Sequence, residues 1–497
     1  MEKIKSIPNK WLYFSIILLG IYFLYRIINQ SQLMSVFPLD ITNDWSSYMA
    51  QLHFLKECGF HEMCYYWYNG FMTFYSTPPG WYYFTLPLYL IFNSVTVASF
   101  ISLILIYVLA FVAIYYFGKL HEISPTKRIA FFLLFLANAV TIGNFIRLGR
   151  LHELLGWVLF IILAFTLLWY KDRKLDNKYF LVIIPYSLIL LAHQVVAIFA
   201  SVLLFSLFLI KNFKEKIYVA LSVVLSLLIT AFWWVPYVLN FSQSRGVDII
   251  MSKTLLLFDS THLPQNIITF LAPIGLCFIF YYYWKDRNKS KKELIFFLPT
   301  LILASLLFFR ISPFIPGVNY LYPDSYIYYF TFLGLFMLFK TKLKTFSLNI
   351  RRLILIAFIL IPIVSVLANI YHTPSFTNYT QLEEDTVSIL EYVDGNFIMI
   401  QISPPTSYGK AYYSMAPVYY NLTTASGWHV YESKEYYGLM KKIESGTTNC
   451  FELNALLKEA KITDVISHDD YCDVLDNCEL KEIKHINRVC LYKNDKV

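Results

Sequence analysis

Pro38-Leu39-Asp40-Ile41-Thr42-Asn43-Asp44-Trp45 opens a polar, aromatic-rich loop that continues through Gln51-Leu52-His53, Cys58 and Cys64 and closes on Tyr75-Ser76-Thr77-Pro78-Pro79-Gly80-Trp81-Tyr82-Tyr83. The loop follows directly on an apolar run at 11–29. Two acids, Asp40 and Asp44, stand just past a membrane exit, on a loop whose Pro-Pro-aromatic end turns back toward the bilayer. That arrangement suits chemistry at a membrane surface. The plainer reading of either acid is a cap on a surface helix. The rest of the chain reads as a membrane body that holds this loop.

Composition supports that body. Of 497 residues, 57% are hydrophobic, 19% aromatic and only 15% charged, which departs from soluble averages in the membrane direction. Apolar runs able to cross a hydrocarbon core of about 30 Å recur from residue 11 to residue 371. Tyr and Trp gather at the run ends, as at Trp169-Tyr170, Trp233-Trp234 and Tyr281 to Trp284, where their rings suit the headgroup level. A net charge of +8 would suggest nucleic acid in a soluble protein, but here the placement of the charge explains it. Five short loops (119–128, 171–178, 211–216, 285–293 and 340–352) carry 3, 4, 3, 5 and 5 Lys or Arg, 20 of the chain's 41. By the positive-inside rule they are cytoplasmic, together with the N-terminus and its Lys3, Lys5 and Lys10, and no nucleic-acid partner is implied. The first apolar run lacks a small-residue cleavage site and reads as a retained anchor.

The alternation of loops fixes the expected topology. If both halves of 80–117 crossed, every basic loop would lie outside. Residues 80–93 are too few to span and carry Pro87, so they read as a re-entrant or juxtamembrane helix. Spans then fall near 11–29, 95–118, 128–146, 154–170, 179–193, 194–210, 217–240, 265–284, 294–309, 326–339 and 353–371. The expected fold is thus a polytopic α-helical membrane protein of about 11 spans, 1–371, with an outer loop at 30–79. A tail of soluble composition, 372–497, follows outside as a small extracytoplasmic α/β domain. Its strands are expected at Asn396–Ile402 and Thr463–Ile466, and its helices at Glu384–Val393 and Phe451–Ala460. The expected location is the cell (plasma) membrane.

Six of the seven cysteines, Cys58, Cys64, Cys450, Cys472, Cys478 and Cys490, fall in segments placed outside, and only Cys277 lies in a span. An even outer count suits disulfides in an oxidising compartment, with Cys58–Cys64 and Cys472–Cys478 as local pairs and Cys450–Cys490 by remainder. A zinc site using His61 or His468 is the rival reading, and the spacing fits no familiar zinc pattern.

Chemistry-bearing residues gather at the outer ends of the spans. Besides Asp40, Asp44 and His53, these are Arg147-Leu148-Gly149-Arg150-Leu151-His152-Glu153, His193-Gln194, and Arg310 with Asp324 on a short loop. Charges at the mouth of a helix bundle are costly near lipid and mark functional candidates. Arginine forks match phosphate geometry. The alternatives are arginines that snorkel to headgroups or pair with Glu153, and a His193-Gln194 pair that only bonds neighbouring helices.

With these residues in view, the chain resembles the GT-C superfamily of membrane glycosyltransferases: an acid after the first span, a Pro-Pro-aromatic segment ending a long outer loop, many spans and an outer C-terminal domain. More narrowly, Asp44-Trp45 with His53 to Gly59, Thr77 to Tyr83 and Gly149 to Gly156 are similar to the membrane proteins labelled "6-pyruvoyl-tetrahydropterin synthase related". The resemblance covers about residues 10–370. It implies Asp44 as general base toward an acceptor hydroxyl or as ligand of a divalent cation; no second acid stands directly beside Asp44, so a metal site would need Asp40 or a distant residue. It implies a polyprenyl-phosphate sugar donor and a glycan, lipid or protein acceptor, with Arg147, Arg150 and Arg310 stabilising the leaving phosphate. The sequence departs from that pattern at Tyr48, where a histidine is expected, and at Ser325, where an arginine is common. A transporter or lipid flippase is the alternative, for which charges should lie deep within spans; a non-catalytic receptor or scaffold is another.

Overall fold

The computed structural model describes residues 10–37, 44–240, 251–372, 379–401, 407–427 and 434–495. The helices of the body are α1 (Lys10–Gln30), α2 (Asp44–Glu57), α3 (Gly80–Phe92), α4 (Val95–Leu120), α5 (Pro125–Leu136), α6 (Ala139–Thr141), α7 (Leu151–Tyr170), α8 (Ile183–Ala192), α9 (Gln194–Ile210), α10 (Phe213–Ile229), α11 (Ala231–Asn240), α12 (Leu263–Asp286), α13 (Lys291–Phe308), α14 (Pro323–Lys340) and α15 (Leu348–His372). A short hairpin, β1 (Met63–Cys64) with β2 (Phe71–Met72), lies between α2 and α3.

Among the described residues, five helices are long and apolar enough to cross a membrane, or up to seven if the bent pairs at Pro125–Leu136 with Ala139–Arg147 and at Phe213–Ile229 with Ala231–Asn240 each count as one. The eleven expected spans are reached only if α8, α9, α13 and α14 are counted as well. The first bend, of 53°, has a local cause: Asn138 turns its side-chain oxygen onto the amides of Val140 and Thr141, capping a new helix inside the apolar run. Burial sorts the helices. In α7, 83% of the most apolar window is buried, against 28% for α12 and for α15, so α7 is central and the other two form the rim.

All five basic loops meet at one end of the body. Lys171 pairs with Glu293 at 2.5 Å, Lys292 with Asp172 at 3.2 Å, Lys340 donates to the His121 carbonyl and Lys211 to that of Tyr170. The acids Asp44, Glu153 and Asp324 lie at the other end, a helix length away along α7, about 30 Å for 20 residues. Helix α3 stays at that acidic end. Trp81 donates to Ser102 on α4, Asn93 ends α3 in the left-handed region, and Ser94 caps α4, so α3 folds back along the outer half of α4.

The tail holds α16 (Gln381–Ile389), β3 (Asn396–Met399), α17 (Ser407–Tyr420), β4 (Thr423–Thr424), α18 (Lys434–Ser445), α19 (Cys450–Glu459), β5 (Asp464–His468), α20 (Asp470–Asn477), β6 (Lys481–Ile486) and β7 (Val489–Lys493). Its strands run in the order β4-β3-β5-β7-β6, parallel across β4, β3 and β5 and antiparallel across β5, β7 and β6. Phe397, Ile398, Val465, Ile466 and Leu491 form its core. The turn between β1 and β2 plugs into this domain. Trp67 is fully buried, donates to the Tyr413 carbonyl and bridges Thr424, while Asn69 donates to the Ala460 carbonyl.

The cysteines pair as Cys58–Cys64, Cys450–Cys478 and Cys472–Cys490, which corrects the two expected tail pairings. Cys472 lies in α20, and Cys478 follows its last residue. Six helical residues rotate by about 240° and rise about 9 Å, which sets the two sulfurs on different faces and beyond disulfide reach. Each therefore bonds to the element its own face meets.

Candidate functional site

The acidic end is assembled around Gly149. Trp45, the residue after Asp44, is fully buried and donates from its indole to the Ile146 carbonyl at 2.9 Å. Its ring fills the space where a Cβ on Gly149 would stand, 2.4 Å from Trp45 Cδ1, and Gly149 sits at φ +76°. Only glycine fits there. Residues Ile142–Arg147 form one turn of π-helix, closed by the Leu148 amide on the Gly143 carbonyl, and such turns redirect side chains at functional sites. Together the wide turn and Gly149 deliver Arg150 beneath the start of α2.

Arg150 is the hub of the site. Its Nη1 lies 3.0 Å from Asp324 Oδ2 and 3.7 Å from Glu153 Oε2, and its Nε lies 3.8 Å from Asp44 Oδ2. The guanidinium also faces the Tyr322 ring, 5.2 Å from its centroid, a cation–π contact. Burial opposes the charge on Arg150, but Asp324, Glu153 and Asp44 outweigh it and raise its pKa well above the usual arginine value. Burial likewise raises the Tyr322 phenol. The two inner acids are held: Glu153 Oε1 accepts from Ser325 Oγ at 3.0 Å and from Trp157 Nε1 at 3.2 Å, while Asp324 Oδ2 accepts from Asn144, which also donates to Tyr328. The Glu153 side chain is 2% exposed and that of Asp44 25%, so Asp44 is the acid of this pair that a substrate hydroxyl can reach.

Two flanking histidines belong to the same end. His152 is buried among Tyr48, Tyr82 and Trp81, with centroid distances of 4.1, 4.6 and 5.4 Å. Tyr48, where the resembled pattern has a histidine, thus packs at a tilt of 51° against an imidazole supplied by α7. Ser325, the other departure, bonds Glu153, and the guanidinium beside Asp324 comes instead from Arg150. His193, in the extended break between α8 and α9, packs against Gly156 one turn beyond Glu153. The Thr77-Pro78-Pro79-Gly80 segment closes this side: Thr77 donates to Gln51, its carbonyl accepts from Trp233, and Gly80 lies so close that an added Cβ would stand 2.8 Å from the Leu191 carbonyl.

Not every expected residue joins. His53 sits nine residues along α2, where its Nδ1 meets Tyr89 Oη at 3.1 Å; burial lowers its pKa in spite of nearby Glu57. Arg310 directs its fork to Thr269 Oγ1 and the Asn266 carbonyl on α12. Arg147 is buried at the end of the π-turn. Asp40 lies outside the described residues. Asn144, Trp157, Tyr322 and Tyr328 were not singled out from sequence. Of these, Trp157 and Tyr328 left a local signal, each four residues after an acid, Glu153 and Asp324, and so on the same helix face.

A divalent cation, which the family likeness implies, does not fit this donor set. Among the described residues no three His, Cys, Asp or Glu side chains are grouped to hold a metal ion, and the acids that converge are centred on a guanidinium.

No protein-family model and no curated protein matches the sequence. Solved structures do. The Archaeoglobus fulgidus oligosaccharyltransferase, determined in complex with Zn and sulfate, matches 91% of this chain over 68% of its own, at a TM-score of 0.53 and 12% identity. The mycobacterial arabinofuranosyltransferase AftD, in the R1389S mutant, matches 99% of this chain at a TM-score of 0.57 and 12% identity, and the chain spans 42% of its length. The chain shares its overall fold with these two glycosyltransferase structures.

Proposed function

We propose that this protein is a membrane glycosyltransferase that moves a sugar from a polyprenyl-phosphate donor to a hydroxyl of a glycan, lipid or protein acceptor at the outer membrane face. The observation that carries this reading is the convergence of Asp44, Arg150, Glu153 and Asp324, from three separate parts of the chain, at one end of a body with the GT-C fold. In the reaction, the acceptor oxygen bonds to the anomeric carbon as the bond from that carbon to the phosphate oxygen breaks. The electron pair leaves on the phosphate, and the hydroxyl proton passes to Asp44. Arg150, fixed by its partners, faces the charge that develops on the leaving phosphate. Glu153 and Asp324 act on Arg150, and His152 and His193 wall the site.

The side follows from charge. The basic loops share the end opposite the site, so the positive-inside rule puts the site and the tail domain outside and the N-terminus inside. Eleven membrane-crossing segments, with α3 returning to its own side, fit this alternation, and the body and tail divide near residue 371. The narrower likeness to the "6-pyruvoyl-tetrahydropterin synthase related" membrane proteins is part of this proposal and rests on the sequence stretches at 44–59, 77–83 and 149–156.

The test is transfer of labelled sugar from a polyprenyl-phosphate donor pool in membranes holding the native protein or Asp44→Asn. Loss of transfer by about 100-fold or more, at unchanged protein level, is expected of a general base. A protein with no transfer and a positive lipid-flux assay in the same membranes is a transporter instead.

A further inference from the structure

The geometry points to Arg150 as the built-in cation of this site: we infer that its guanidinium supplies, among Asp44, Glu153 and Asp324, the positive charge that a divalent ion would otherwise supply, and that transfer needs no metal. The inference rests on the glycosyl-transfer reading for its activity arm and on geometry alone for its binding arm.

Mg²⁺ and Mn²⁺ are bound by oxygen donors, most often carboxylates, at about 2 Å, and three converging carboxylates are what such an ion selects. Here three carboxylates do converge, but on one guanidinium, at 3.0, 3.7 and 3.8 Å. The arginine is no passing neighbour. It stands at the residue before α7, placed by Gly149, whose φ of +76° and contact with Trp45 leave no freedom of position. Its ring partner Tyr322 covers one face. Its carboxylate partners are tied in turn, Glu153 by Ser325 and Trp157 and Asp324 by Asn144. An ion entering the cluster would displace a guanidinium whose charge the surrounding acids favour, and would meet that like charge at contact distance. Arg150 supplies what an ion supplies to a leaving phosphate: a fixed positive charge, with N–H donors that match phosphate oxygens. It does so without exchange with solvent, so the site carries its charge at all times.

The experiment uses the purified full chain in detergent, with Mn²⁺ as probe, read by electron paramagnetic resonance, alongside labelled-sugar transfer with and without EDTA. The native protein is expected to show no tightly bound Mn²⁺, and EDTA to change transfer by less than about twofold. Arg150→Ala, which frees three carboxylates, is expected to gain one Mn²⁺ site, lost again in Arg150→Ala/Asp324→Asn. A native protein that binds one Mn²⁺ and loses transfer in EDTA, with recovery on Mn²⁺ addition, overturns the inference. So does a folded Arg150→Ala protein with no Mn²⁺ site. If no donor supports transfer under any metal condition, the glycosyl-transfer reading fails, while Mn²⁺ binding still decides the place of the guanidinium.

Discussion

At Gly149 the backbone is held in a conformation that glycine adopts freely and other residues do not, and the space its side chain would need is filled by Trp45. Substitution there acts on two things at once. The Gly149→Ala change brings a Cβ within 2.4 Å of the Trp45 ring, so α2 must lift or the 142–150 turn must move. The expected cost is about 2–4 kcal/mol from strain and overpacking together, read as a lowered midpoint in a thermal scan of the detergent-solubilised protein. Transfer should fall further than stability does, because Asp44 is the residue next to Trp45 and the hydrogen bond to the Ile146 carbonyl sets its height over Arg150. A Gly149→Ala protein as stable and as active as the native one would remove Trp45 packing from the account. The same logic explains why the single acids were ambiguous in sequence. Asp44 alone reads as a helix start, which it is; its closeness to Arg150 depends on a glycine about a hundred residues away.

The disulfides show how much an element decides. Hydropathy and an even outer count are enough to expect six bonded cysteines, and Cys58–Cys64 closes the hairpin loop as a local pair. In the tail, local spacing misleads, because α20 separates Cys472 from Cys478 by most of two turns. Digestion without reduction, followed by mass spectrometry, should yield the peptide pairs Cys450 with Cys478 and Cys472 with Cys490, and no peptide joining Cys472 to Cys478. Replacing both Cys472 and Cys490 by serine should cost about 2–4 kcal/mol, since the bond closes an 18-residue separation that ties α20 to β7. Loss of Cys58–Cys64 acts elsewhere, on the stretch that carries Trp67 into the tail domain. Both bends in the body likewise fall at single polar residues inside apolar runs, Asn138 and Thr230, which a hydropathy window averages away.

For the whole molecule the prediction concerns sides. Single cysteines placed at Ser290, beside the Lys292–Asp172 pair, and at Asn319, in the loop before α14, belong to opposite ends of the body. In intact cells, with Cys277 replaced by serine, an impermeant maleimide should label the second and spare the first until the membrane is opened. The reverse pattern would place the site on the cytoplasmic side and break the positive-inside argument. Composition, run length and the distribution of Lys and Arg were enough to indicate a polytopic membrane protein, and to group its basic loops apart from its acids. Those properties are sums over many residues, and the bilayer reads them as sums. The site was legible only as a roster: Asp44, Arg150, Glu153, Asp324 and His193 were all in it, beside His53 and Arg310, which the fold holds elsewhere. Which of them meet, which cysteines pair, and that three acids share one arginine were decided by tertiary structure. Each depends on contacts between residues far apart in sequence, up to 184 positions in the site, held by close packing at points such as Gly149 and Gly80 that no local pattern marks.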